Sequence, residues 1–73
     1  MIIELPDFMR DYEVTVREFQ EFLQDNDIEF EARDEKEYVR SYKIYITEFE
    51  IDENKLTKTK LKKLKKYIED NKL

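Results

Sequence analysis

The side chains best placed to do chemistry in this sequence are its carboxylates and amines. Nineteen Asp and Glu and 14 Lys and Arg stand among 73 residues, beside one serine (Ser41), no histidine and no cysteine. Without histidine or cysteine, neither a Ser-His-Asp nor a Cys-His nucleophile can be assembled, and the commonest transition-metal ligands are missing. The absence of glycine removes P-loops, dinucleotide-binding turns and the glycine-rich strand motif of RNA-binding sheets. Disulfides and thiolate zinc sites are excluded in the same way.

Carboxylate chemistry needs none of these residues, and two patterns invite it. Pro6-Asp7 with Asp34-Glu35-Lys36 has the PD...(D/E)xK form of metal-dependent nucleases. Chance supplies that form, because this composition gives about two or three (D/E)-x-K triplets at random, and three occur, at Asp34, Glu53 and Asp70. Asp25, Asp27 and Glu29 alternate like the opening oxygens of a calcium loop, but its sixth position is Phe30 where glycine is needed and its twelfth is Lys36 where a bidentate glutamate belongs. These residues read as a helix stop and the wet face of a strand. A chain this short also has little room for a water-excluding cleft. No enzyme, catalytic residue, cofactor site or metal site is expected.

What remains is surface charge, and it is strongly segregated. Residues 1–54 carry 17 acids against 6 bases, whereas residues 55–73 carry 8 bases against 2 acids, so the net −5 conceals an acidic body and a basic tail. Glu18, Glu21 and Asp25 recur at helical spacing, and Glu29 and Glu31 extend the row on the next strand. Such a row can imitate a phosphate backbone and steer the chain onto a basic surface. On a helical wheel Lys55, Lys58, Lys62, Lys65 and Lys66 occupy an arc of about 100° beside a leucine stripe, a face able to follow phosphates, to dock on an acidic partner, to lie on an anionic membrane, which the absence of Trp and Phe from the stripe disfavours, or simply to stay solvated. Tyr38, Arg40 and Tyr42 fall on one side of a strand and Lys43 and Tyr45 on the other, which could stack bases but more often packs a sheet.

These rows require elements to hold them. Met1–Leu5 reads as a short strand ended by Pro6. Thr15 and Glu18 form a capping box for a helix over 16–25, with Val16, Phe19, Phe22 and Leu23 on its inner face and Asp25-Asn26-Asp27 as its stop. Ile28, Phe30 and Ala32 alternate with charges as a strand over 28–33, and Asp34–Glu37 is its turn. Residues 38–51 read as a second strand on propensity. Its apolar parity slips between Ile44 and Ile46 and Phe49 and Ile51, which calls for a bulge near Thr47 or cover on both faces; a helix with Val39, Tyr42, Ile46 and Phe49 in its seam is the competing reading. From 57 to 71 a helix places Leu61, Leu64 and Ile68 on one line.

The sum is a single α+β domain over 1–73, of order (β)-α-β-β-α, with helices on one face of an antiparallel sheet, an acidic body over 1–54 and a lysine-rich helix over 55–73. No segment has the length of a membrane span, and Met1–Leu5 lacks the basic start of a signal peptide, so a cytoplasmic setting is expected, for a cellular, viral or mobile-element chain alike. The function expected is that of a small regulatory or protein-interaction module, acidic and directed at a basic partner such as a nucleic-acid-handling protein that it inhibits. The alternative is nucleic-acid binding through the lysine helix, which the net charge disfavours. A strand with apolar residues of both parities leaves a free edge or a second apolar face, so a homodimer is also expected.

Overall fold

The computed structural model describes residues 1–39 and 42–73. They run in the order β1 (Ile2–Pro6), α1 (Tyr12–Asp25), β2 (Glu31–Val39), β3 (Tyr42–Glu50), a 3-10 turn (Glu53–Lys55) and α2 (Lys58–Asp70). The α+β order read from the sequence is the one observed. The sheet order is β1-β3-β2, antiparallel at both junctions, so β3 is the shared central strand. It is the strand richest in aromatic and β-branched residues, which suit a position flanked on both sides.

Strand alternation then sorts the side chains. Ile3 pairs with Phe49 and Leu5 with Thr47 across β1 and β3, and these residues face the helices. Phe49 meets Phe19 of α1 edge-on, with ring centroids 4.9 Å apart, and the tilted ring of Phe30 at 5.7 Å. Leu5, Leu23, Ile28, Ile51 and Leu64 complete the fully buried cluster. Tyr67 of α2 stacks on Phe22 at 4.2 Å and on Phe19 at 5.7 Å, which couples the two helices. Burial raises its phenol pKa above the ordinary tyrosine value, and the charges of Glu18 and Glu21 raise it further.

With no glycine available, both helices end in the same way on other residues. After α1, Asp27 takes the left-handed conformation (φ 53°), and its N–H and that of Ile28 donate to the carbonyls of Gln24 and Leu23. After α2, Lys72 (φ 54°) and Leu73 repeat this with Glu69 and Ile68. Asn26 and Asn71 each donate a side-chain amide hydrogen to the carbonyl four residues back. These are Schellman ends, and the apolar residue that follows each one is drawn toward the core. α2 starts within one residue of the expected boundary, and Thr57 caps it, its hydroxyl accepting from the Lys60 N–H at 3.2 Å.

Several local expectations are overturned. The Thr15–Glu18 capping box does not form: α1 starts one turn earlier, after Asp11, and the Thr15 N–H donates within the helix to the Asp11 carbonyl. Tyr12 extends the inner stripe by a turn, and its hydroxyl reaches Thr47 on β3. Asp34–Glu37 is not a turn, because each of its residues pairs with one of Ile44–Thr47. β2 therefore runs over Glu31–Val39 in place of 28–33, Tyr38 belongs to it, and β3 begins at Tyr42; residues 40 and 41 lie outside the described residues. No bulge interrupts β3 at Thr47; the register is one-to-one on both sides. Nor does the competing helix over 38–51 form, since β3 gains pairing on both edges.

β1 ends opposite Ile46, and the Asp7 N–H closes on the Tyr45 carbonyl at 2.8 Å. Beyond that point β2 and β3 continue as a two-stranded arm. It stretches the molecule to 43 Å and a radius of gyration of 13.0 Å, against about 11 Å for a compact chain of this length.

Two stability measurements follow. Leu64→Ala, at a fully buried site in the one cluster that joins α2 to the sheet, should cost about 2–5 kcal/mol in denaturant unfolding. Asp27→Gly should instead stabilise by about 0.5–1 kcal/mol, because glycine occupies the left-handed region without a Cβ penalty.

Candidate interaction surface

The helices cover one face of the sheet and leave the other bare. On the bare face the register forms rows across β1, β3 and β2: Ile2–Glu50–Glu31, Glu4–Glu48–Arg33 and Pro6–Ile46–Glu35, with Ile44 beyond them. Ile46 is buried and Ile44 and Pro6 half-buried, whereas Ile2 stands 56% exposed. The parity slip in the sequence is thus real. Phe49 and Thr47 serve the helix side and Ile44 and Ile46 the bare side of one unbulged strand.

Five carboxylates of described side chains stand on this face, from Glu4, Glu31, Glu35, Glu48 and Glu50, with Arg33 as their cation. The Arg33 guanidinium donates from Nη2 to Glu50 at 2.6 Å, from Nε to Glu48 at 3.2 Å and from Nη1 to Glu31 at 3.4 Å. Glu31 and Glu50 lie directly opposite each other in the register, an arrangement that repels without an intervening cation. The hydrogen bonds to Glu50 and Glu48 raise the pKa of Arg33 above its already high ordinary value. Nothing in the sequence marked Arg33 as a hub, because its partners lie 15 and 17 residues away and meet it only through pairing.

On the helix side of the arm, register places Lys36 opposite Tyr45 and Tyr38 opposite Lys43. The Lys36 and Lys43 ammonium groups lie 5.7 and 5.3 Å from the centre of the Tyr45 ring. This corrects the expected sides: Tyr38 shares a face with Lys43 and Tyr45, and Tyr42 points the other way, because the antiparallel register sets Tyr38 opposite Lys43 and Val39 opposite Tyr42. Arg40 lies outside the described residues. Tyr38 and Tyr42 are about three-quarters exposed, at 75% and 76%. The root of the arm is tied to α1 by a polar chain in which Tyr12 bonds the Thr47 hydroxyl, which donates to Asp34 at 3.0 Å. Thr47 is the buried polar residue among those described, and this chain satisfies it.

The two charge rows are only partly assembled. Glu18, Glu21 and Asp25 stand exposed on the outside of α1, and no ion pair involves them among the described residues. Glu29 lies 3.8 Å from Lys55. Glu31 does not continue the row; strand alternation sends it to the bare sheet face, away from the helices. On the basic side Lys55 belongs to the 3-10 turn, while Lys58, Lys62, Lys65 and Lys66 remain exposed on α2 with no ion pair among the described residues. Lys60, between them in sequence, donates to the Asp27 carbonyl at 3.1 Å. Among the described residues no group of three or more acids is arranged to hold a metal ion, and no helix is long and apolar enough to cross a membrane.

Replacing Arg33 by Met should leave Glu31, Glu48 and Glu50 facing one another. Its thermal midpoint should fall, and fall further at low salt than at high salt, whereas the same change at exposed Arg17 should do neither. A scan against protein-family models and searches of curated proteins and of solved structures return no match to this chain.

Proposed function

We propose that this chain is a small non-enzymatic interaction module that holds a basic partner on its acidic surface. The observation that carries the reading is the bare sheet face, where an apolar strip of half-buried Pro6 and Ile44 about the buried Ile46, set off from Ile2 by the Glu4–Glu48–Arg33 row, adjoins five carboxylates and one already engaged arginine. An apolar strip supplies the contact area and a surrounding charge of one sign steers the approach. A lysine- or arginine-bearing amphipathic segment, such as those of nucleic-acid-handling proteins, matches both features. The α1 row of Glu18, Glu21 and Asp25 offers a second acidic patch on the opposite side of the molecule. A cytoplasmic setting without membrane contact belongs to the same reading, since Leu64, Tyr67 and Ile68 of α2 are committed to the core.

The second reading, nucleic-acid contact through α2, draws support from the exposure of Lys58, Lys62, Lys65 and Lys66. Against it stands the net charge of −5, which repels phosphates over the whole molecule.

Three charge-reversal pairs separate these surfaces by fluorescence anisotropy with a basic amphipathic peptide and with duplex DNA as probes. Glu4→Lys with Glu31→Lys should weaken peptide binding at least about tenfold while the fold survives. Glu18→Lys with Glu21→Lys should have the smaller effect; the reverse order would move the site to α1. DNA should not bind near physiological salt. Salt-sensitive DNA binding that Lys62→Glu with Lys66→Glu removes would establish the second reading in place of the first.

A further inference from the structure

The outer edge of β2 is a long uninterrupted strand whose protection is charge alone, at six of its nine residues, and these charges are of both signs and can pair with those of a second copy. β2 has β3 as its neighbour on one side and no strand on the other. Among the described residues, no backbone group of β2 bonds outside the sheet. Natural edge strands are usually kept short or interrupted by proline or a bulge. The β1 edge follows that rule, with five residues closed by Pro6. β2 has nine residues, no proline and an uninterrupted one-to-one register with β3. Its outer half also belongs to the arm, and a two-stranded ribbon is marginal in water without a third strand or a packed face.

We infer that two copies of this chain join by antiparallel pairing of β2 with β2 about a two-fold axis at Glu35. Antiparallel pairing about an axis perpendicular to the sheet sets opposite each other only residues of the same face, so the axis must pass through a residue. Charge then selects which one. Centred on Asp34, the pairing sets Asp34 against Asp34, Lys36 against Ala32 and, as its one opposite-charge pair among the described side chains, Glu35 against an Arg33 already engaged by Glu31, Glu48 and Glu50; centred on Lys36, it sets Lys36 against Lys36 and Asp34 against Tyr38. Centred on Glu35, it sets Asp34 against Lys36 twice and Ala32 against Tyr38 twice. Opposite charges directly across a ladder stabilise it. The exposed Tyr38 ring also gains a small neighbour over which it can lie, which gives a ring 75% exposed in one copy something to cover. The one like-charged contact among the described side chains is Glu35 against Glu35 on the axis. The result is a continuous six-stranded sheet in which the outer half of each β2 lies beside the other copy's three-stranded body, so that each two-stranded arm becomes part of a five-stranded region.

This surface is distinct from the bare face, so the inference stands or falls apart from the proposed function. Sedimentation equilibrium of the full chain from micromolar to millimolar concentration should show a monomer–dimer equilibrium. Lys36→Glu, which sets a glutamate against Asp34 at both symmetric sites, should raise the dimer dissociation constant at least about tenfold. Glu35→Gln, which removes the repulsion on the axis, should lower it about two- to tenfold. Amide exchange in β2 should slow with concentration while that in β1 does not. A chain that stays monomeric to millimolar concentration would overturn the inference, and so would a dimer indifferent to both substitutions. A dimer broken by Glu4→Lys with Glu31→Lys but not by Lys36→Glu would place the interface on the bare sheet face and overturn it as well.

Discussion

The position of Phe49 on the central strand governs the rest of this molecule. It is fully buried, in contact with Phe19 of α1 edge-on and with the tilted ring of Phe30, and few other large residues share that core. Strand side chains alternate with a period of two, so this one ring fixes the facing of every residue on β3 and, through the register, of β1 and β2. A slip of one residue would carry Phe49 to the carboxylate-rich face and bring Glu48 and Glu50 under the helices, where unpaired charge is costly. The register is therefore held by what it excludes as much as by what it buries.

That constraint explains the polarity of the whole surface. With the helices claiming the Phe49 side, the bare face receives Ile44, Ile46 and a set of glutamates that cannot be accommodated within the core. The sheet tolerates them because Arg33 spans three carboxylates from two strands. A guanidinium suits this role, since its planar fork donates in several directions at once and keeps its charge at any accessible pH. The same chain thus uses one cation to make an acidic sheet possible, while the lysines of α2 stand apart from the acids of the body. Segregated charge of this kind steers encounters more than it stabilises the fold.

The arm follows from unequal strand lengths. β1 contributes five residues and β3 nine, so about half of the hairpin extends past its third strand. The Tyr12–Thr47–Asp34 chain and the Asp7 closure on Tyr45 anchor the root. Past them, the Tyr45 ring with its two lysines covers only one side of the ribbon. An acidic bare face and a free β2 edge meet along the same hairpin, yet they offer different chemistry: side-chain charge on one, backbone hydrogen bonding on the other.

Sequence alone determined the elements whose signals are local. The Leu61, Leu64 and Ile68 stripe and the absence of breakers specify α2; Phe19 and Leu23 at helical spacing specify the buried side of α1; Asp25-Asn26-Asp27 specifies its end; and the lack of histidine, cysteine and glycine bounded the chemistry before any fold was known. Tertiary structure decided whatever depends on pairing between distant residues. Asp34–Glu37 has the composition of a turn and becomes strand because Ile44–Thr47 needs a partner. Tyr12 carries α1 back past an apparent capping box because β3 offers its hydroxyl a bond. Tyr38 and Tyr42 part company because they stand on different strands whose register sets Tyr38 opposite Lys43, and Glu31 leaves the α1 row because alternation turns it to the other face. Arg33 is one of four arginines in the sequence and becomes the hub of the acidic face only through register. Local propensity and capping act over a few residues, which a sequence displays directly; strand register is a long-range choice set by core burial, and it is this choice that places the charges of the candidate surface.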